Sequence, residues 1–167
     1  SKARSVAGLS SGPFPGEKFL FGLFNRIGET LPSMLIARQG VALAKGRRQA
    51  DVRGAAETVA EELVAMVQPF AETAFAAHRD AGRPIVLATT TPYDLVAPFG
   101  ELLGLDDVVA TRYEVGPDGT YTGELDGPFV WSAGKLHAIT AWADEHGIDL
   151  AESWAYSDSF YDTPLLA

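Results

Sequence analysis

Side chains that could bind an anion or a metal ion occur at three places along the 167-residue sequence. Thr89, Thr90 and Thr91 follow a short apolar run and precede a helical pattern, where free backbone N–H groups and the helix dipole favour an anion. Lys135 falls in the first turn of a later predicted helix, where the dipole disfavours a cation. Asp158 and Asp162 follow the last apolar stretch, and carboxylate oxygens suit Mg²⁺.

Each of these places also has a simpler structural interpretation. Thr91 is a common type of helix N-cap, and the other two threonines then serve only as turn residues. Lys135 is then a solvated surface lysine. Asp158 and Asp162 are then a turn acid and an N-cap before the dipeptide Thr163-Pro164, because two acids alone do not define a metal site.

The second half of the chain alternates strand and helix patterns. Residues 85–88 form a continuous apolar run typical of a strand covered on both faces in a parallel sheet. A helix follows with Thr91 as N-cap, Pro92 at its first position and Asp94 as the capping-box acid, and it ends at Gly104. Strands flank the turn at residues 117–119, a helix spans 133–146 between Ser132 and Gly147, and a last strand is predicted at 153–157. This alternation predicts an α/β fold with its ligands at the carboxyl ends of the strands.

The first half is mainly helical in pattern. Residues 1–16 are rich in small residues, Gly and Pro, which predicts a linker, and residues 17–79 favour helices with a break at Pro32. One long helix is predicted over residues 55–80, ended by Gly82. Its predicted packing face contains Val59, Leu63, Met66, Val67, Phe70 and Phe75.

Composition narrows the range of partners. The formal charge of −9 argues against a general nucleic-acid or anionic-membrane surface. The most apolar segment, residues 19–44, is interrupted by charged residues and Pro32, so it is not a membrane span. The chain has no cysteine, which suits a reducing cytoplasm.

Four segments, in this order, resemble the haloacid dehalogenase superfamily in its phosphoserine-phosphatase-like branch. They are IVLATTT, ATRYEVGPDGTYTGELDG, SAGKLHAI and AYSDSFYD. The resemblance implies a three-layer Rossmann-like core with a parallel sheet and an inserted helical cap. Residues 1–80 are then the cap region with its linker, and residues 81–167 an incomplete core without its first strand and its C-terminal part.

The resemblance also implies an activity. Members hydrolyse phosphomonoesters through an aspartyl-phosphate with the help of Mg²⁺. On this template Thr89 contacts a phosphoryl oxygen beside Thr90, and Lys135 holds the nucleophile and the developing negative charge. Asp158 binds Mg²⁺, and Asp162 supports the metal or its water shell. The expected substrate is a small phosphorylated metabolite such as phosphoserine.

One feature of the family is missing from the printed sequence. The nucleophile belongs to a DxDx(T/S) motif ending the first strand, upstream of the cap, and this chain contains no such motif. We therefore expect no phosphatase turnover from the chain as printed and turnover from the intact protein. A noncatalytic phosphate-binding module and a phosphotransferase remain alternatives.

Substrate choice in this branch belongs to the cap, where Arg26 and Arg38 are candidate contacts for a second anionic group. The cap's large apolar side chains also fit simple packing between helices; they are Phe19, Phe21, Phe24, Leu31, Met34 and Leu35. A lipid-related phosphate is a second candidate substrate. The oligomeric state does not follow from the sequence.

Overall fold

The computed structural model describes residues 40–131, 133–157, 159 and 162–166. A helical stretch over 40–44 comes first. In chain order the further elements are α1 (Gln49–Val64), α2 (Pro69–Asp80), β1 (Val86–Thr89), α3 (Tyr93–Leu102), β2 (Asp107–Ala110), β3 (Arg112–Val115), β4 (Tyr121–Asp126), α4 (Ala133–His146), a 3-10 turn (Leu150–Glu152) and α5 (Thr163–Leu166).

The predicted parallel sheet is confirmed by the pairing of β1 with β2. The pairs run from Val86 opposite Asp107 to Thr89 opposite Ala110, one residue later than the predicted strand. Helix α3 crosses over between the two strands and packs on β2. Val96 of this helix forms a small buried core with Val108 and Ala110. The α/β class is therefore as expected.

A hairpin made of β3 and β4 confirms the predicted turn chemistry. The strands pair antiparallel, with Tyr113 opposite Leu125. At the tip, Gly119 takes a φ of +77°, and the Asp118 carboxylate accepts hydrogen bonds from the backbone N–H and the hydroxyl of Thr120. These hydrogen bonds, the backbone one first, lower the pKa of Asp118. The turn therefore forms its own local hydrogen bonds, as its sequence predicts.

The prediction of one long helix over residues 55–80 is wrong. The structure has two helices, with α1 ending at Val64 and α2 beginning at Pro69. Proline disfavours helical geometry in the residue before it, and Gln68 is accordingly extended, with φ −71° and ψ 140°. The proline thus begins a new helix.

The predicted packing face of this region is also wrong. The buried residues of α1 are Ala55, Ala56 and Ala60. Met66 and Phe70, in contrast, are 70% and 75% exposed. Once the chain breaks before Pro69, the 3.6-residue period does not continue from one helix to the next, so the two halves present different faces. The small alanines let α1 pack closely against α3.

The expected start of α3 differs from the structure in its capping. The helix begins at Tyr93, with Pro92 rather than Thr91 at the N-cap and no side-chain cap. Asp94 is buried and bonds to other elements instead of closing a capping box. The Tyr93 N–H donates to the Thr111 carbonyl at 2.9 Å, so a tertiary contact replaces the local cap.

The predicted last strand at residues 153–157 does not form. These residues are irregular and exposed. A strand needs a neighbour to supply its ladder hydrogen bonds, and within the described part of the chain no strand pairs with them. The helix ends are predicted better, since Gly82, Gly104 and Gly147 all have positive φ after their helices. The proposed cap, Ser132, lies outside the described residues.

Much of the predicted cap also lies outside the described residues, including the linker 1–16, the break at Pro32, Arg26, Arg38 and the apolar side chains of 19–35. The division into a cap at 1–80 and a core at 81–167 therefore stays a prediction. Over the described ranges, no helix is both long enough and apolar enough to cross a membrane.

Candidate functional site

Three threonines lie where β1 passes into α3. Thr89 is the last residue of β1, and its hydroxyl oxygen accepts a hydrogen bond from the Thr91 backbone N–H at 3.2 Å. The hydroxyl of Thr90 is buried and has no hydrogen-bond partner within the described ranges. A buried hydroxyl normally finds a partner, so Thr90 has hydrogen-bonding capacity to offer a ligand.

Lys135 is buried, contrary to its interpretation as a solvated lysine. It is the third residue of α4 and is 5% exposed. Its Nζ donates to Oδ1 of Asp162 at 2.6 Å. A buried ammonium is stable only when it is paired, so Asp162 offsets both the loss of hydration and the unfavourable helix dipole.

Asp162 is held from two sides. Its Oδ1 accepts from Lys135, and its Oδ2 accepts from the Ser157 hydroxyl at 2.6 Å. The Ser157 oxygen in turn accepts the Ser159 backbone N–H at 3.1 Å. Both carboxylate oxygens therefore have protein donors, an arrangement that favours a supporting role for Asp162. Its assignment to the metal, like the roles of Thr89, Thr90 and Lys135, stays a prediction.

Asp158 lies outside the described residues, so its predicted role as a metal ligand is not described. Within the described ranges, no group of three or more His, Asp or Glu side chains could hold a metal ion. The carboxylate of Asp158 is a donor type that suits Mg²⁺, whereas both oxygens of Asp162 already accept from protein donors.

Contacts between elements relate the helix of Lys135 to the strand of Thr89. Helix α4 packs against β1, β2 and α5, so the helix that contains Lys135 lies against the strand that ends in Thr89. The contact between Lys135 and Asp162 joins residues 27 positions apart.

Ser157 was not among the predicted site residues. The signal that could have indicated it is its place directly before Asp158 in WAYSDSFYD.

A second polar region lies between α1, α3 and the hairpin. A cleft of about 370 Å³ opens there, lined by eight residues that include Gln49, Asp94 and Arg112 but none of the predicted site residues. The Arg112 guanidinium stacks on the Tyr93 ring at 3.5 Å. Sequence reasoning missed this region because it gave Asp94 only a capping role.

Comparison with known proteins agrees with the fold and the motifs. The family model for haloacid dehalogenase-like hydrolases matches residues 9–167. The "Inhibition of morphological differentiation protein" of Streptomyces azureus is 41% identical over 129 residues, which are 75% of this chain and 45% of that protein. Phosphoserine phosphatase SerB1 of Mycobacterium tuberculosis is 34% identical over 131 residues, which are 78% and 42% of the two chains.

Solved structures show the same fold. A protein of unknown function from Bordetella pertussis Tohama I superposes with a TM-score of 0.78 at 26% identity, covering 98% of this chain and 74% of that one. A substrate-bound phosphoserine phosphatase superposes with a TM-score of 0.56 at 21% identity, covering 97% and 71%. At that lower identity the likeness concerns the fold alone.

The fold and the ordered motifs define an α/β protein with a parallel sheet. The chain belongs to the haloacid dehalogenase-like hydrolase family, as its resemblance implied. It spans less than half the length of the two curated relatives named above.

Proposed function

We propose that the intact protein is a Mg²⁺-dependent phosphomonoester hydrolase that acts on a small phosphorylated metabolite. The observation that carries this proposal is the buried Lys135, held by Asp162 on a helix that packs against the strand ending in Thr89. A chain with a net charge of −9 needs local positive charge to accept an anion. A buried, oriented ammonium supplies such charge where water does not screen it.

Each residue has a defined task in the proposed reaction. The Thr89 hydroxyl donates to a phosphoryl oxygen, and the Thr90 hydroxyl offers a second donor. Lys135 stabilises the attacking carboxylate and the negative charge that develops on the phosphoryl group. Asp162 and Ser157 keep the ammonium in place. These groups are positioned before the substrate arrives, so they need little reorganisation during the reaction.

The metal adds charge that the described residues do not supply. A bound Mg²⁺ would supply positive charge to the phosphoryl oxygens. Asp158 is the proposed protein ligand. Asp162 takes the supporting position, because its two oxygens already accept from Lys135 and Ser157.

The nucleophile and the acid/base are proposed to precede this sequence in the intact protein. A carboxylate oxygen attacks phosphorus, and the ester oxygen leaves with a proton from the acid. Water then attacks the aspartyl-phosphate and gives a proton back to the acid/base group, which releases phosphate and restores both carboxyl groups. The name of the mycobacterial relative makes phosphoserine the first substrate to test. A cytoplasmic location is part of the proposal, because a chain without cysteine gains no disulfide from an oxidising compartment.

The test uses the intact protein with para-nitrophenyl phosphate and with phosphoserine. We expect turnover that EDTA abolishes and Mg²⁺ restores. Asp158→Asn removes the proposed ligand charge, and Lys135→Met removes the buried ammonium, so each should lower kcat by about 100-fold or more. Asp144→Asn, an exposed acid on α4, is the matched control and should leave kcat unchanged.

Two results would redirect the proposal. Binding of inorganic phosphate without turnover in the intact protein would favour a noncatalytic phosphate-binding module. Transfer of the phosphoryl group to an added alcohol in preference to water would favour a phosphotransferase. Activity that is insensitive to EDTA would contradict the role of the metal.

A further inference from the structure

Residues 46–49 are attached to the start of β4 by backbone hydrogen bonds. The Gly46 N–H donates to the Tyr121 carbonyl at 2.8 Å, and the Tyr121 N–H donates to the Arg47 carbonyl at 2.9 Å. The Gln49 N–H donates to the Gly119 carbonyl at 3.0 Å. Arg48 and Thr120 form an antiparallel bridge between these bonds. The segment is thus joined to the hairpin by one isolated β-bridge and the backbone hydrogen bonds around it.

The Asp94 carboxylate joins three elements at this point. Its Oδ1 accepts from Nε2 of Gln49 at 3.0 Å, and its Oδ2 accepts from the Tyr121 hydroxyl at 2.9 Å. Gln49 begins α1, Tyr121 begins β4, and Asp94 lies in the first turn of α3. That helix follows directly from the threonines at the end of β1. One side chain therefore connects the segment 46–49 and the hairpin to the helix that starts at the proposed phosphate site.

The arrangement depends on the protonation and burial of its members. Asp94 is 6% exposed and Tyr121 is 3% exposed. Burial, with a further contribution from the hydrogen bond to Asp94, raises the pKa of Tyr121, so the phenol stays protonated and donates. A buried carboxylate without such donors is strongly destabilised. The dipole at the start of α3 also favours the negative charge.

We propose that Asp94 is a positioning residue that fixes the predicted cap region to the core. This inference rests on the proposed phosphatase function, in which the cap selects the substrate and the core holds the phosphoryl group. Asp94 does not contact the reacting atoms. It acts through Gln49 and Tyr121, by holding the segment 46–49 at a set distance from the loop that begins α3.

The first test is amide hydrogen exchange, measured by NMR on the full chain, because it does not depend on activity. Asp94→Ala should speed exchange at Gly46, Gln49 and Tyr121 by about tenfold or more relative to other amides. Asp94→Asn should keep the slow exchange, since its amide oxygen accepts from Tyr121 and its amide nitrogen can donate to a reoriented Gln49. Glu124→Ala, an exposed acid on β4, is the matched control.

A second variant covers the case in which Asp94→Ala does not fold. Tyr121→Phe removes one of the two donors and should give a smaller increase in exchange at the same amides. Two results would overturn the positioning role. One is unchanged exchange at these amides in a folded Asp94→Ala or Tyr121→Phe variant, and the other is an increase in exchange spread evenly over the chain.

The second test is kinetic and uses the intact protein with para-nitrophenyl phosphate. Asp94→Ala should lower kcat/KM by about tenfold or more, because a displaced cap misplaces the ester. The inhibition constant of inorganic phosphate should change little, because the ion needs only the core site. Asp94→Asn should restore kcat/KM. Equal loss of ester turnover and phosphate binding would contradict the role of Asp94. An inactive parent protein would contradict the proposed function, and the hydrogen-exchange result would then decide the role of Asp94.

Discussion

Lys135 and Asp162 form a buried ion pair in the candidate site. Its side chains are only 6% and 9% exposed, and Ser157 gives the carboxylate a second donor. Burying both charges costs a large hydration free energy. The mutual attraction of the two charges and the hydrogen bond from Ser157 offset that cost. The pair therefore serves mainly to hold the Lys135 ammonium in a fixed position.

Removing one partner should be much more costly than removing both. We expect Asp162→Ala to lower the free energy of unfolding by about 3–5 kcal/mol, because it leaves the ammonium buried and unpaired. The double variant Lys135→Met/Asp162→Leu should recover most of that loss. Denaturant titrations of the chain measure both effects.

The matched control is the ion pair between Arg53 and Glu101, whose side chains are 33% and 62% exposed. Its acid variant, Glu101→Ala, should change the free energy of unfolding by about 1 kcal/mol or less. A loss as large as that of Asp162→Ala would show that burial does not distinguish the two pairs.

At the scale of elements, glycine allows α3 to pack closely on β2. A Cβ atom built at Gly100 would lie 2.5 Å from Cγ2 of Val108. The two elements therefore approach more closely than any side chain at position 100 permits. The same packing fixes the direction of α3, and with it the loop that holds the threonines.

Two of the helical glycines, Gly100 and Gly54, should respond to alanine in opposite directions. Gly100→Ala should lower the free energy of unfolding by about 1–3 kcal/mol through overpacking against Val108. Gly54→Ala, where a Cβ meets nothing within 4 Å, should raise it by about 0.5–1 kcal/mol because alanine favours helix. Thermal unfolding of the two variants measures the direction of both changes in stability. A stabilised Gly100→Ala variant would contradict the close approach.

At the scale of the whole molecule, the buried Tyr121 and the half-buried Tyr113 make stability depend on pH under alkaline conditions. Burial raises the pKa of both Tyr113 and Tyr121 in the folded chain. Above the unfolded pKa of about 10 the unfolded chain releases these protons while the folded chain retains them. The contribution of the two tyrosines to the free energy of unfolding is therefore complete below about pH 10 and decreases as pH rises above it.

We expect this alkaline loss to be smaller in Tyr121→Phe. The variant has no phenol to ionise in the unfolded state, so its free energy of unfolding should fall less steeply above about pH 10. Urea titrations at several alkaline pH values compare the slopes of the two proteins. Identical slopes would show that Tyr121 does not contribute to the pH dependence.

Local sequence signals determined much of this molecule. The apolar run before Thr89, the turn at residues 117–119 and the glycines after the helices each act within a few residues, and the structure confirms the elements that they predict. The ordered motifs were likewise enough to indicate the family. The helical pattern over residues 55–80 nevertheless gave a wrong prediction, because it ignored Pro69, which begins a new helix.

Only the tertiary structure decided what the charged side chains contact. The sequence could not show that Lys135 is buried against Asp162, 27 residues away, or that Asp94 leaves its capping position to join Gln49 and Tyr121. It also predicted a strand at 153–157 that the described chain does not form. The physical reason is common to all three: burial, long-range pairing and strand formation depend on which neighbours the fold supplies, whereas turns and helix ends depend on the chain itself.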